Sequence, residues 1–100
     1  MIYYILKYKT VTNYIEHRKP HRSRHFEHIQ KYVDNDKLAM GGAVGDPADE
    51  AFIMFYDEEA AEEFAVNDPY VLNGLVESWE IKRWNELVMD MVKKKNENNT

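Results

Sequence analysis

Four histidines fall within twelve residues: His17, His21, His25 and His28. Imidazole binds metals and exchanges protons near neutrality, so this cluster is the first place to look for chemistry. On one continuous helix all four would lie within an arc of about 80° at 3.6 residues per turn, and His at i, i+4 is a zinc-ligand spacing. Pro20 interrupts such a helix, and the pattern specifies no carboxylate partner. The plainer reading, solvent-facing imidazoles and no metal, is therefore taken for His17, His21 and His28. His25 is different, because it sits one turn before Ile29 on the flank of the apolar stripe Phe26–Ile29–Val33. At that border an imidazole is held in place and still reached by a ligand, as general acid–base work requires. Arg22, one turn earlier and near the helix start, suits a carboxylate or phenolate; its plainer role is a surface cation whose stem packs on the core. Asp68 precedes Pro69, and Asp then Pro is the ordinary start of a helix.

The elements that must position these groups follow from patterning. Residues 2–9 (Ile-Tyr-Tyr-Ile-Leu-Lys-Tyr-Lys) lack Gly and Pro and read as a first strand. Residues 10–19 show no period and read as a connection. Pro20 opens a helix running to about Asn35, with Phe26, Ile29 and Val33 as its buried stripe. Lys37–Gly45 is a second strand with unusually small side chains, Asp46-Pro47 a turn, and Glu50–Tyr56 a third strand. Asp57 caps a second helix to about Asn67, whose inner face is Ala60, Ala61, Phe64 and Ala65. A helical turn follows Asp68, Gly74 ends it, and Leu75–Leu87 is the fourth strand. The tail from Val88 adds a helical turn or two through Met91 and Val92 before fraying at Lys93-Lys94-Lys95. The expected organisation is one domain over 1–87 and a partly helical or disordered tail over 88–100. The order βαββαβ is that of an α+β, ferredoxin-like fold with a four-stranded antiparallel sheet.

With 100 residues, 44% hydrophobic and 13% aromatic, the chain supports one modest core. Cysteine is absent, which removes disulfide and thiolate chemistry. A formal charge of −5 argues against nucleic acid as a partner, and no apolar run approaches the ~18 residues of a membrane span. The first residues lack the features of a signal peptide, so a cytoplasmic location is expected. Two helices cover one face of a sheet about 19 Å wide. Yet the third strand is apolar on both faces, with Phe52, Met54 and Tyr56 on one and Ala51, Ile53 and Phe55 on the other. The first strand behaves likewise, Tyr3 and Ile5 opposing Ile2, Tyr4 and Leu6. A second copy packed on the sheet face is the economical cover, so a homodimer is expected.

Two segments add a resemblance. Arg22-Ser-Arg-His25-Phe, continuing through Lys37 to Gly41-Gly42-Ala43, resembles the Arg-x-x-His-Leu start and glycine-containing second strand of the YciI-like (YCII-related) family. Asp68-Pro69-Tyr70-Val71-Leu-Asn-Gly74 is similar to its Asp-Pro-Tyr-Val-x-x-Gly segment, and Tyr3–Leu6 to its opening strand. Phe26 stands in place of Leu, and Gly41-Gly42-Ala43 in place of Ala-Gly-Pro. The resemblance covers about residues 1–85 and implies a dimeric α+β barrel of two ferredoxin-like sheets. It also implies a His–Asp pair, at His25 and Asp68, and lyase or isomerase chemistry of dehydrochlorinase or muconolactone-isomerase kind.

The reading that results is a small-molecule enzyme needing no metal or organic cofactor. His25 moves a proton and Asp68 orients it. Arg22, Tyr4 and Tyr70 bind a small, cyclic or anionic substrate. Two rivals use the same sequence: a non-catalytic ligand-binding or regulatory module with the same pocket, and a haem-handling α+β barrel protein with a helix histidine on iron. The chain shows no match to the motifs of the latter group.

Overall fold

The computed structural model describes residues 1–98. The uninterrupted strand-favouring run at the start forms β1 (Ile2–Thr10), which lies inside the sheet. It is flanked by β3 (Glu50–Phe55) and β4 (Val76–Asn85), and β2 (Leu38–Val44) pairs with the outer side of β3. The order β2-β3-β1-β4, all pairs antiparallel, is the ferredoxin-like arrangement expected from the sequence. Leu6 stands opposite Ile53 on one side and Ile81 on the other. Because side chains alternate across a sheet, Leu6, Tyr8 and Thr10 share one face and are buried.

Helices α2 (Arg22–Asp34) and α3 (Glu58–Asn67) cover that face. Asp57 caps α3, its carboxylate accepting from the Ala60 amide at 2.7 Å. The small inner face of α3 lets it lie close to the sheet, and Ala60, Ala61, Phe64 and Ala65 join Leu6, Tyr8, Ile53 and Phe55 in the core. Asp68 caps the short helix α4 (Pro69–Leu72), and Gly74, at φ 76°, reverses the chain into β4.

Three expectations are corrected. The inner face of α2 is His25 and Tyr32, with His28 and Ile29 half-buried, whereas Phe26 is 50% and Val33 43% exposed. Apolar spacing alone misplaced the stripe because each polar group on the buried face has a partner: His25 has Asp68, His28 the Phe64 carbonyl and Tyr32 the Glu63 carboxylate. A satisfied polar group is buried at little cost. The supposed connection at 10–19 holds a helical turn, α1 (Tyr14–His17), then a 3₁₀ turn at Lys19–His21, so α2 begins at Arg22 and not at Pro20. Tyr14 packs there with Tyr70 and Leu75 in a second small core. The tail forms α5 (Met89–Asn98), longer than a turn or two. Its start is fixed by Glu86, whose carboxylate accepts from the amides of Val88 and Met89. Those amides hold the Glu86 carboxyl below the usual range. Asn99 and Thr100 lie outside the described residues. No helix among the described residues is long and apolar enough to cross a membrane.

Candidate functional site

Asp68 is fully buried, and three donors converge on its two oxygens. Oδ1 accepts from the Tyr70 amide at 3.0 Å, the bond of an ordinary N-cap, and from His25 Nδ1 at 2.8 Å. Oδ2 accepts from the Tyr8 hydroxyl at 2.8 Å. A carboxylate filled in this way only accepts, so it fixes the proton of a neutral His25 on Nδ1 and leaves Nε2 as the basic nitrogen. The ring is also held sideways. It stacks on Tyr70 with centroids 3.7 Å apart and planes 7° from parallel, and meets Phe26 edge-on at 5.5 Å.

The His25 ring borders a cavity of about 310 Å³ between the start of α2 and the β2–β3 side of the sheet. Its floor explains the small residues of β2: Gly41, Gly42, Ala43 and, from β3, Ala51. A methyl at Gly41 meets Ile53 only at 3.6 Å, an ordinary contact, and one at Gly42 meets nothing within 4 Å. Gly41 and Ala43, paired with Ile53 and Ala51, lie on the cavity side of β2, where small side chains leave room. A larger groove between α2 and α3, of about 800 Å³, is lined by charged and amide side chains such as Lys31, Glu59 and Asn67, and reaches neither His25 nor Asp68.

The sequence-predicted residues divide accordingly. His25 and Asp68 are in contact, and Arg22 and Tyr70 line the same cavity. Tyr4 does not line it. It shares a face of β1 with Tyr8, but four residues of strand place it about 13 Å away. His17 is exposed and His28 bonds a backbone carbonyl, while His21 is half-buried with no partner for Nδ1. No group of three or more His, Cys, Asp or Glu among the described residues converges as a metal site would need. Sequence reasoning missed Tyr8, Tyr14 and Arg18. Tyr8 was legible in principle, since strand alternation puts its polar tip on the buried face with Leu6, where it must find an acceptor.

Burial and the adjacent Asp68 push the Tyr8 phenol far above its ordinary range, so it stays a donor at every working pH. The folded state holds this proton more tightly than the unfolded chain does. Its stabilising effect is therefore complete below pH ~10 and declines as pH climbs beyond that. The decline is about 1.4 kcal/mol per pH unit from this one group. Urea midpoints between pH 8.5 and 10.5 are expected to fall more steeply for the natural chain than for Tyr8→Phe. Parallel slopes would show that Tyr8 is not held as described.

Comparison with known proteins gives a consistent picture. The chain is similar in structure to 5-chloro-2-hydroxyhydroquinone dehydrochlorinase (TftG) from Burkholderia phenoliruptrix AC1100, solved in complex with 2,5-dihydroxybenzoquinone. The TM-score is 0.71 at 18% identity, over 87% of this chain and 96% of that one. Protein Atu4242 from Agrobacterium tumefaciens aligns with TM-score 0.54 at 17% identity, over 89% of this chain and 96% of that one. A NIPSNAP domain protein from Burkholderia xenovorans aligns with TM-score 0.53 at 13% identity, over 89% and 97%. At such identities these likenesses speak for the fold alone. No curated protein matches the chain. The model of the YCII-related domain matches residues 1–85, from the first strand to the end of the fourth. The chain therefore belongs to the YCII-related domain family.

Proposed function

We propose that this protein is a homodimeric small-molecule enzyme of lyase or isomerase type, with His25 as the proton-transferring group and Asp68 as its orienting partner. The observation that carries this reading is the fully buried carboxylate that accepts a hydrogen bond from His25 Nδ1, while the ring borders a cavity of ligand size. Asp68 stabilises the imidazolium that forms when His25 accepts a proton. Arg22 and Tyr70 border the substrate.

The structural likeness to a dehydrochlorinase suggests a first substrate to try. Loss of HCl from 5-chloro-2-hydroxyhydroquinone needs one proton removed and one chloride expelled, with no oxidant or reductant. The purified protein is expected to release chloride from this compound catalytically. A compound that binds and is recovered unchanged after long incubation would instead support a binding module.

The dimer is proposed from the opposite face of the sheet. Ile5 and Met54 are paired there, beside Phe52, with Met40 59% and Trp84 39% exposed. Sedimentation at micromolar concentration is expected to give twice the 11.9 kDa chain mass. Met54→Glu, which puts a charge at the centre of that face, is expected to shift the protein to single chains. A natural chain that sediments as one folded copy would contradict the dimer.

A further inference from the structure

The cavity is electrostatically one-sided. Although the chain carries a net charge of −5, the cavity walls hold two arginines, Arg18 and Arg22, and no carboxylate. Asp68 lies behind His25 and Tyr8 and is occupied by them. Neither arginine forms an ion pair with a carboxylate among the described residues. Each instead rests on an aromatic ring: Arg18 over Tyr14 at 5.3 Å, and Arg22 over Phe26 at 5.1 Å. These rings brace the guanidinium planes without satisfying their donors.

A second observation marks the same corner. Tyr70 is 2% exposed, and its hydroxyl is buried with no hydrogen-bond partner. Burial raises the Tyr70 phenol above its ordinary value, while Arg22 and Arg18 act on it in the opposite direction. Both arginines are donors only, so they cannot accept the Tyr70 proton. What this corner lacks is an acceptor. A buried polar group without a partner is costly to leave so. A ligand oxygen entering beneath the exposed Arg22 side chain would meet three donors and two positive charges.

We infer that Arg18, Arg22 and Tyr70 form an anion-recognising corner of the His25 cavity, fitted to a small planar compound bearing a phenolate, enolate or carboxylate oxygen. This rests on the cavity being a ligand site, and adds to it the charge of the ligand and the residues that read it. The proton handled by His25 and the oxygen held by the arginines then belong to different parts of one small molecule. The ring stacking of His25 on Tyr70 fixes their separation.

Benzoate and benzamide test the corner, because they match in size and shape and differ in charge. Calorimetric titration of the full-length protein is expected to show benzoate binding at least tenfold more tightly. Arg18→Gln and Arg22→Gln should each narrow the gap severalfold, and the double variant should close it, with benzamide affinity unchanged throughout. Tyr70→Phe should weaken benzoate more than benzamide and melt at or above the temperature of the natural protein, since the hydroxyl it removes has no partner to lose. Equal binding of benzoate and benzamide by the natural protein would overturn the corner and leave the ligand site standing. Equal losses of both ligands in the arginine variants would overturn it too, making these side chains mere walls. Binding of neither compound would remove the ligand site and the corner together.

Discussion

Replacing His25 by Ala is expected to lower turnover by about 10²–10⁴-fold, the usual contribution of a positioned general acid–base group. The size of the loss follows from geometry. Nδ1 is committed to Asp68 at 2.8 Å and the ring face to Tyr70, so Nε2 is presented in a single orientation. No other histidine can substitute: His28 bonds the Phe64 carbonyl, and neither His17 nor His21 lines the cavity. The variant should still fold, because Asp68 keeps Tyr8 and the Tyr70 amide as partners. One fewer hydrogen bond at a buried carboxylate costs about 1–3 kcal/mol. Chloride release from the halogenated hydroquinone, read beside a thermal melt, separates the two effects. Turnover within a fewfold of the natural protein would show that His25 is not the proton carrier.

Replacing Asp68 by Ala is expected to cost more in stability than any other single substitution at the site. It leaves the Tyr8 hydroxyl, the Tyr70 amide and the His25 ring N–H without acceptors in a buried place, and removes the cap of α4. The Tyr70 amide bond is the cap itself and its loss costs about 1 kcal/mol, while the two orphaned side-chain donors cost about 1–3 kcal/mol each. The sum is comparable to the whole stability of a small domain, about 5–15 kcal/mol. A largely unfolded chain at 37 °C is the expected result. Asp68→Asn keeps the shape and one acceptor oxygen and should fold. Its amide removes the negative charge that stabilises an imidazolium, so a loss of turnover of at least about 10²-fold is expected in a folded protein. Circular dichroism and chloride release on the two variants distinguish these outcomes. An Asp68→Ala chain as stable as the natural one would mean that the three hydrogen bonds do not form.

The fold was readable because each element carried its own signal. A strand-favouring run without Gly or Pro marked β1, the Asp46-Pro47 turn set off β3, Asp57 and Asp68 marked helix starts, and Gly74 marked the turn before β4. The inner face of α2 was not readable from apolar spacing. Three of its buried or half-buried residues, His25, His28 and Tyr32, owe their burial to partners 31–43 positions away. Pairings of that kind are set by tertiary structure and have no local signature. Asp68 shows how a local reading and a family resemblance can both hold. Its residues read as a helix cap and the resemblance implied a histidine partner, and its Oδ1 serves both, toward the Tyr70 amide and toward His25. Tyr4 and Tyr8 show the reverse difficulty. Strand parity places both on the helix-covered face, but parity says nothing about how far along the strand the cavity lies. The small side chains of β2 were visible from the start; that they form a floor depends on α2 lying above them.

Rescue of His25→Gly by free imidazole separates the proton-carrying role of His25 from its structural one. The substitution leaves a slot between the Tyr70 and Phe26 rings, with the Asp68 carboxylate at its base. The variant is expected to be nearly inactive, with added imidazole restoring chloride release in a saturable, concentration-dependent way. A variant that turns over at the natural rate with no imidazole present would contradict the proton-carrying role.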